Sequence, residues 1–457
     1  MKRLLVLNVV GLTENLLRFA PNLASLSRTG SCRPVKAVLP AVTCSVQSTY
    51  LTGLMPAQHG IVGNGWYFRD LSEVWFWRQS NRLVAGEKIW ETAKKVDPSF
   101  TCANLFWWYN MYSSADITVT PRPCYPADGR KIPDIYTQPS ELRANLQHRF
   151  GRFPLFNFWG PTANIVSSRW ITDCAHHVEA HYRPTLNLVY LPHLDYDLQR
   201  LGPDHAAIPA AVAAIDALCG ELIDEARRND TCIVVLSEYG ISRVEGAVGI
   251  NRALRRNGLL RFREELGREI LDPGASDAFA VADHQLAHVY VKNAGRIGEV
   301  GAMVAVLDGV ERVLDAEGKK AAGLDHPDSG ELVAISAADR WFSYAWWLDE
   351  DRAPDYARTV DIHRKPGYDP LELFIDPKIS APRLRIGLKL VQKKLGFRTL
   401  MDFIPLDERL IKGSHGRPPD DPANGAVFIS SETNLLPEGA IPATAVKEIL
   451  LSHMFNG

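Results

Sequence analysis

The chain has no paired-cysteine motif. Its seven cysteines (Cys32, Cys44, Cys102, Cys124, Cys174, Cys219 and Cys232) are an odd number, without a CxxC pair or close Cys/His spacing. A disulfide framework and a small structural zinc module are therefore excluded, and reduced thiols in a cytoplasmic protein are the simplest reading. No apolar run approaches the ~20 residues needed to span a bilayer. Met1-Lys2-Arg3 ahead of Leu4–Val10 superficially resembles a signal peptide, but the run is short and no small-residue cleavage site follows. It reads as a buried first strand. An excess of either charge is also missing: 51 Lys and Arg face 53 Asp and Glu, for a net charge of -2. Such a chain has no overall basic field to draw nucleic acid or an anionic membrane. There is no internal repeat or low-complexity tract.

What is present is an ordinary globular composition, 46% hydrophobic and 23% charged over 457 residues, enough to bury a sizeable core. Leu4–Val10 is nearly all apolar, as expected for a central parallel strand covered on both faces. Pro21–Ser27 reads as a helix, Val35–Leu39 as a strand, and the segment from Thr43 to a stop at Gly53 as a helix. Ala103–Trp107, Leu186–Leu191 and Thr231–Ser237 follow as strands, with an alanine-rich helical pattern over Ala206–Arg228. This alternation predicts an α/β fold with a mostly parallel central sheet flanked by helices. Residues 1–250 and 405–457 are expected to form the core. Residues 251–404 would add further core strands, among them Gln285–Lys292 and Leu332–Phe342, and an inserted cap-like region of loops and short helices.

Ligands of open α/β sheets bind at the carboxyl ends of the strands. Three polar clusters fall there. Leu39-Pro40-Ala41-Val42-Thr43-Cys44-Ser45 sets a hydroxyl at a strand-to-helix handover, where backbone N–H groups favour an anion. Read alone, Thr43 caps the helix. His193-Leu194-Asp195-Tyr196-Asp197 and Ser237-Glu238-Tyr239-Gly240 each follow a strand, and Gly413-Ser414-His415-Gly416 puts a histidine on a tight turn. Gathered together, such groups suit a divalent metal; taken singly, each is a surface turn. His59-Gly60-Ile61-Val62-Gly63-Asn64 is a glycine-spaced loop whose asparagine amide would suit an oxyanion.

Pro40-x-x-Thr43 followed by Thr52-Gly53-Leu54-x-Pro56-x-x-His59-Gly60-Ile61-x-Gly63-Asn64 resembles the nucleophile region of the type I phosphodiesterase/nucleotide pyrophosphatase family, within the alkaline phosphatase superfamily. The order of the later motifs also fits. The resemblance implies phosphate-ester hydrolysis, most plausibly of a diester, on a small phosphorylated molecule. It makes Thr43 the nucleophile, Asn64 a donor to a phosphate oxygen, and Asp195, Glu238 and His415 metal ligands, the metal being zinc or manganese. Three ligand positions depart from the pattern: Val10 stands for an aspartate, and Gln199 and Tyr239 stand for histidines. The resemblance therefore implies an altered site with one ion or none, and the alternative is a relative that binds an anionic ligand without hydrolysing it. The segment Asp361–Asp369, with His363 and Asp369, is a candidate clamp for an anionic substrate in place of a missing metal; otherwise it is a solvated loop. His284 and His288, four apart on a strand, read as structural. Trp66-Tyr67-Phe68 either lines a substrate pocket or belongs to an aromatic core.

Overall fold

A computed structural model of the protein describes residues 1–456. Its centre is a nine-stranded sheet in which Arg3–Val9 lies between Leu186–Leu191 and Thr231–Leu236, parallel to both. Cys102–Leu105 and Ile117–Pro121 continue the parallel run on one side. Antiparallel strands flank it at Ile135–Gln138 and Val427–Ser430, and Ser31–Lys36 with Ile441–Pro442 completes the far edge. The middle strands are apolar on both faces because helices cover both. Every residue of Leu186–Leu191 is buried, as is all of Arg3–Val9 beyond its first residue. Ile165–Tyr182 and Ile208–Arg228 are among the covering helices, and the second turns a regular stripe from Ile208 to Ala226 inward.

Residues 251–404 contribute no strand to this sheet. They build a separate four-stranded antiparallel sheet, in the order Ala278–Asp283, Leu286–Val291, Leu332–Ser336, Val310–Leu314. The single strand expected over Leu332–Phe342 is two, Leu332–Ser336 and Arg340–Phe342, and the second pairs with Gly246–Val248 instead. The stretch beyond Asp349 is mostly loops and short helices, as its proline content suggests, with one longer helix, Pro382–Lys394. All seven cysteines are free. No helix among the described residues is long and apolar enough to cross a membrane.

Candidate active site

Three adjacent central strands deliver the site. Val10 ends the first, the helix His193–Leu201 carrying Asp195 follows the second, and Glu238 and Tyr239 follow the third. Thr43 arrives as the first residue of the helix Thr43–Thr52. Its hydroxyl does not cap that helix: the cap position is Val42, and Thr43 Oγ1 instead lies 3.2 Å from the Tyr239 hydroxyl. His415 is held by backbone pairing on both sides. The Ala41 N–H donates to Gly416 O (3.0 Å) and the Gln285 N–H to His415 O (2.8 Å). The adjoining Gly413 leaves no room for a side chain, since a Cβ there would lie 2.1 Å from Leu198 O.

The polar groups form two hydrogen-bonded sets. Tyr239 donates its hydroxyl to Asp195 Oδ1 (3.2 Å), Gln199 donates Nε2–H to Asp195 Oδ2 (2.7 Å), and Tyr368 donates to Gln199 Oε1 (3.0 Å). On the other side of Thr43, Asn8 and Gln47 both donate side-chain amides to Glu238 Oε1, at 2.6 and 2.5 Å. Glu238 Oε2 is buried without a hydrogen-bond partner. Burial pushes the Glu238 carboxyl up to about 7, with Gln47, Asn8 and Thr43 pulling it back down. Burial, and then the nearby Glu238, pushes Asp195 up to about 7. Burial holds His415 down to about 3; its ring donates Nδ1–H to Ala41 O (2.8 Å) and stacks on Tyr239 at 3.5 Å.

These residues do not fit the divalent metal that the resemblance implies. A divalent ion needs about three converging lone-pair donors. Val10 offers none, and both Asp195 oxygens and Glu238 Oε1 already accept hydrogen bonds. Gln199 turns its N–H, not its carbonyl, toward Asp195. His415 Nε2 stays 4.0 Å from Asp195 Oδ1. Among the described residues, no three His, Cys, Asp or Glu side chains come together as a metal-holding group. Where the metal-binding pattern has ions, this chain has amide and phenol donors.

The other expected residues divide. Asn64 is in place but faces inward. Its Oδ1 accepts from the Cys44 N–H (3.0 Å), while its own backbone N–H and Nδ2–H donate to the two oxygens of Asp283 (2.7 and 3.1 Å). It ties the glycine loop to the Thr43 helix and to the second sheet. His363 lines the pocket, and burial, followed by the nearby Lys131, lowers its imidazole to about 4. Asp369 is elsewhere: it caps Pro370–Leu373 and, with Glu372, encloses the buried Lys365 ammonium (2.6 and 2.8 Å). That lysine is consumed as a structural counter-ion, and the loop meets the pocket through Ile362, His363 and Tyr368 instead. His288 is structural, donating from Nε2 to Val62 O (2.9 Å) and accepting the Gly330 N–H at Nδ1 (3.2 Å). His284, read as structural, stacks on Tyr368 (3.6 Å) and packs tilted against His415 (3.7 Å) on the pocket wall. Trp66 lies in the core with Ile61 and Val62.

Above the two hydrogen-bonded sets opens a pocket of about 110 Å³. Thr43, Asp195, Tyr239 and His415 line its floor. Trp77, Trp108, Trp159, Phe156 and Phe158 line its walls, and Arg122, Lys131 and His363 are its basic groups. Trp77 and Trp108 meet edge to face at 5.2 Å, and Trp159 packs on Tyr368 at 5.8 Å. Gln47 and Tyr368 were not singled out from the sequence. Gln47 had a signal, since it lies one helical turn after Thr43 and shares its face.

Fold and site together define an α/β phosphoester-hydrolase scaffold of the alkaline phosphatase superfamily. The chain belongs to the type I phosphodiesterase/nucleotide pyrophosphatase family, whose model matches residues 4–369. Similar solved structures include phosphonoacetate hydrolase from Sinorhizobium meliloti 1021 in complex with phosphonoformate, at 14% identity and TM-score 0.62, covering 99% of this chain and 96% of that one. Murine ectonucleotide pyrophosphatase/phosphodiesterase 5, as an inactive variant in complex with AMP, is also similar, at 14% identity and TM-score 0.58, covering 100% and 95%. No curated protein matches the chain by sequence.

Proposed function

We propose that the protein hydrolyses a phosphate diester through Thr43, and that the alcohol it releases is a bulky apolar or aromatic group. The observation carrying this reading is the position of the Thr43 hydroxyl. It lies on the floor of an aromatic pocket, bonded to Tyr239 and beside Glu238, at the carboxyl ends of the central strands. In the attacking step Thr43 Oγ1 forms a bond to phosphorus, its proton passes to Glu238 Oε2, and the ester P–O bond breaks. The departing alkoxide takes a proton from solvent, and water then cleaves the phosphothreonine. An acid whose pKa lies near 7 suits proton transfer at neutral pH. Asn8 and Gln47 fix the Glu238 carboxyl, while Gln199 and Tyr239 fix Asp195. Of the one-ion and no-ion alternatives, the donor set favours no ion. Seven unpaired thiols support a reducing compartment such as the cytoplasm.

A second reading, ligand binding without turnover, is favoured by one observation: the floor sets Asp195 in front of the fully buried Glu238, with no Lys or Arg there to offset a phosphate's charge. Hydrolysis of a chromogenic aryl phosphodiester before and after exhaustive chelation separates the two. Turnover that survives chelation and falls about 1000-fold in Thr43→Ala is expected for hydrolysis through this threonine. Turnover that persists in Thr43→Ala would sink Thr43 as nucleophile. Aryl phosphate binding with no turnover in the parent, with or without added zinc, would establish the binding reading.

A further inference from the structure

The helix Pro382–Lys394 is built inside out. Leu384, Leu388, Val391 and Leu395 recur at i, i+4, i+7 and i+11, which sets them in one stripe along a helix and its end. Such a stripe normally faces a core. Here it faces solvent, with Leu384 65%, Leu388 58%, Val391 55% and Leu395 71% exposed, and the helix has no buried residue at all. The half-buried side, toward the protein, carries Ile386, Lys389 and Lys393 instead. Phe397 and Leu400 extend the exposed apolar surface past the helix end. Contiguous exposed apolar surface of this kind marks an interaction site.

Charge identifies the partner. From Lys378 to Arg398 there are seven Lys and Arg and no Asp or Glu. The balanced overall charge conceals this run, so the sequence-level argument against an anionic membrane does not hold locally. A leucine stripe flanked by cations is the pattern of a helix that lies in the headgroup layer of an anionic bilayer. Thirteen residues reach only about 20 Å, too short to span. The segment also sits at the pocket. Arg398 donates to Ala127 O (2.7 Å), in the loop between the pocket residues Tyr125 and Lys131, and the Lys131 ammonium, lowered by burial, also feels the charge of Lys393. Tyr125 and Phe156, both in the pocket lining, are themselves more than half exposed.

We infer that residues 378–400 form a docking element for an anionic lipid surface, with the leucine stripe entering the headgroup layer beside the pocket mouth. The test is co-sedimentation of the purified full chain with vesicles of phosphatidylcholine alone or mixed with phosphatidylglycerol. Binding to the mixed vesicles at least about tenfold tighter than to phosphatidylcholine, and weakening as salt is raised, is expected. Leu388→Glu/Leu395→Glu should abolish that binding while leaving circular dichroism and thermal stability unchanged, since both side chains are exposed. Absence of parent binding to either vesicle overturns the inference, as does a double variant that binds like the parent. A concentration-dependent dimer that fails to bind vesicles and that the double variant dissociates also overturns it, in favour of self-association.

Discussion

The floor and the mouth of the pocket handle charge in opposite ways. On the floor, Asp195 and Glu238 are buried and their partners are neutral donors: Asn8 and Gln47 for one, Gln199 and Tyr239 for the other. At the mouth, Arg122, Lys131 and His363 stand among exposed aromatic side chains. Burial raises both carboxyls to about 7, and the neutral donors, which carry no full positive charge, pull them back only in part. The exposed Arg122 sits at the rim, where water lowers the cost of keeping it charged, while burial lowers the basicity of Lys131 and His363. Tryptophan and phenylalanine side chains of the pocket wall lie with these basic residues, while the buried carboxyls lie with the floor. A relative built around two ions would combine proton handling and charge attraction at one point.

Breaking the floor should cost most. Gln47→Leu removes a donor from Glu238 Oε1 and the Oε1 acceptor of the Trp108 N–H (2.6 Å). Leaving such buried groups unpaired costs about 1–3 kcal/mol each. Turnover of the aryl diester should fall about 10- to 100-fold, with a lower Tm, while Gln47→Asn should lose less of both. A Gln47→Leu variant with parental kinetics would mean that Glu238 is not held for catalysis.

Breaking the mouth should act on capture rather than on chemistry. Lys131→Ala is expected to raise KM about three- to tenfold at low salt with kcat nearly unchanged, and the difference should shrink in high salt. An equal fall in kcat would place Lys131 in the reaction itself and erase the floor–mouth distinction.

The smallest effect tests the protonation of the floor directly. Glu238 titrates at about 7 in the fold and near 4.3 when unfolded. The folded state therefore holds the proton more tightly, and the stability this contributes is present below the unfolded value and lost as pH rises through about 7. Glu238→Gln keeps an acceptor for Asn8 and Gln47 but cannot ionise. Its Tm should match the parent near pH 5 and exceed it by on the order of a few °C near pH 8.5. A constant difference across that range would show that Glu238 is not the titrating group.

Much of the scaffold was legible because its signals are local. Leu186–Leu191 is a strand as expected, bounded by the same residues, since a short run broken only by Asn187 fits a strand covered on both faces. The Thr43 helix begins and ends where the strand handover and Gly53 place it. The second sheet was not legible. Short apolar strands in residues 251–404 look alike whether they join the main sheet or pair among themselves, and only long-range register separates those outcomes. For the same reason the surroundings of His284 were not legible. Its spacing to His288 describes one strand, whereas its role comes from Tyr368 and His415, which stack on it from distant parts of the chain.

By itself the sequence determined which side chains stand at the strand ends, and so that Val10, Gln199 and Tyr239 occupy positions where lone-pair donors are needed to hold an ion. Only the tertiary structure decided what fills the gap. Asn8 and Gln47 reach Glu238 across 230 and 191 residues, and Tyr368 reaches Gln199 across 169. It also decided that a helix with an ordinary leucine stripe would turn that stripe outward. A hydrogen bond or a buried face depends on position in space to within a fraction of an ångström, and a sequence pattern records only the order in which the partners arrive.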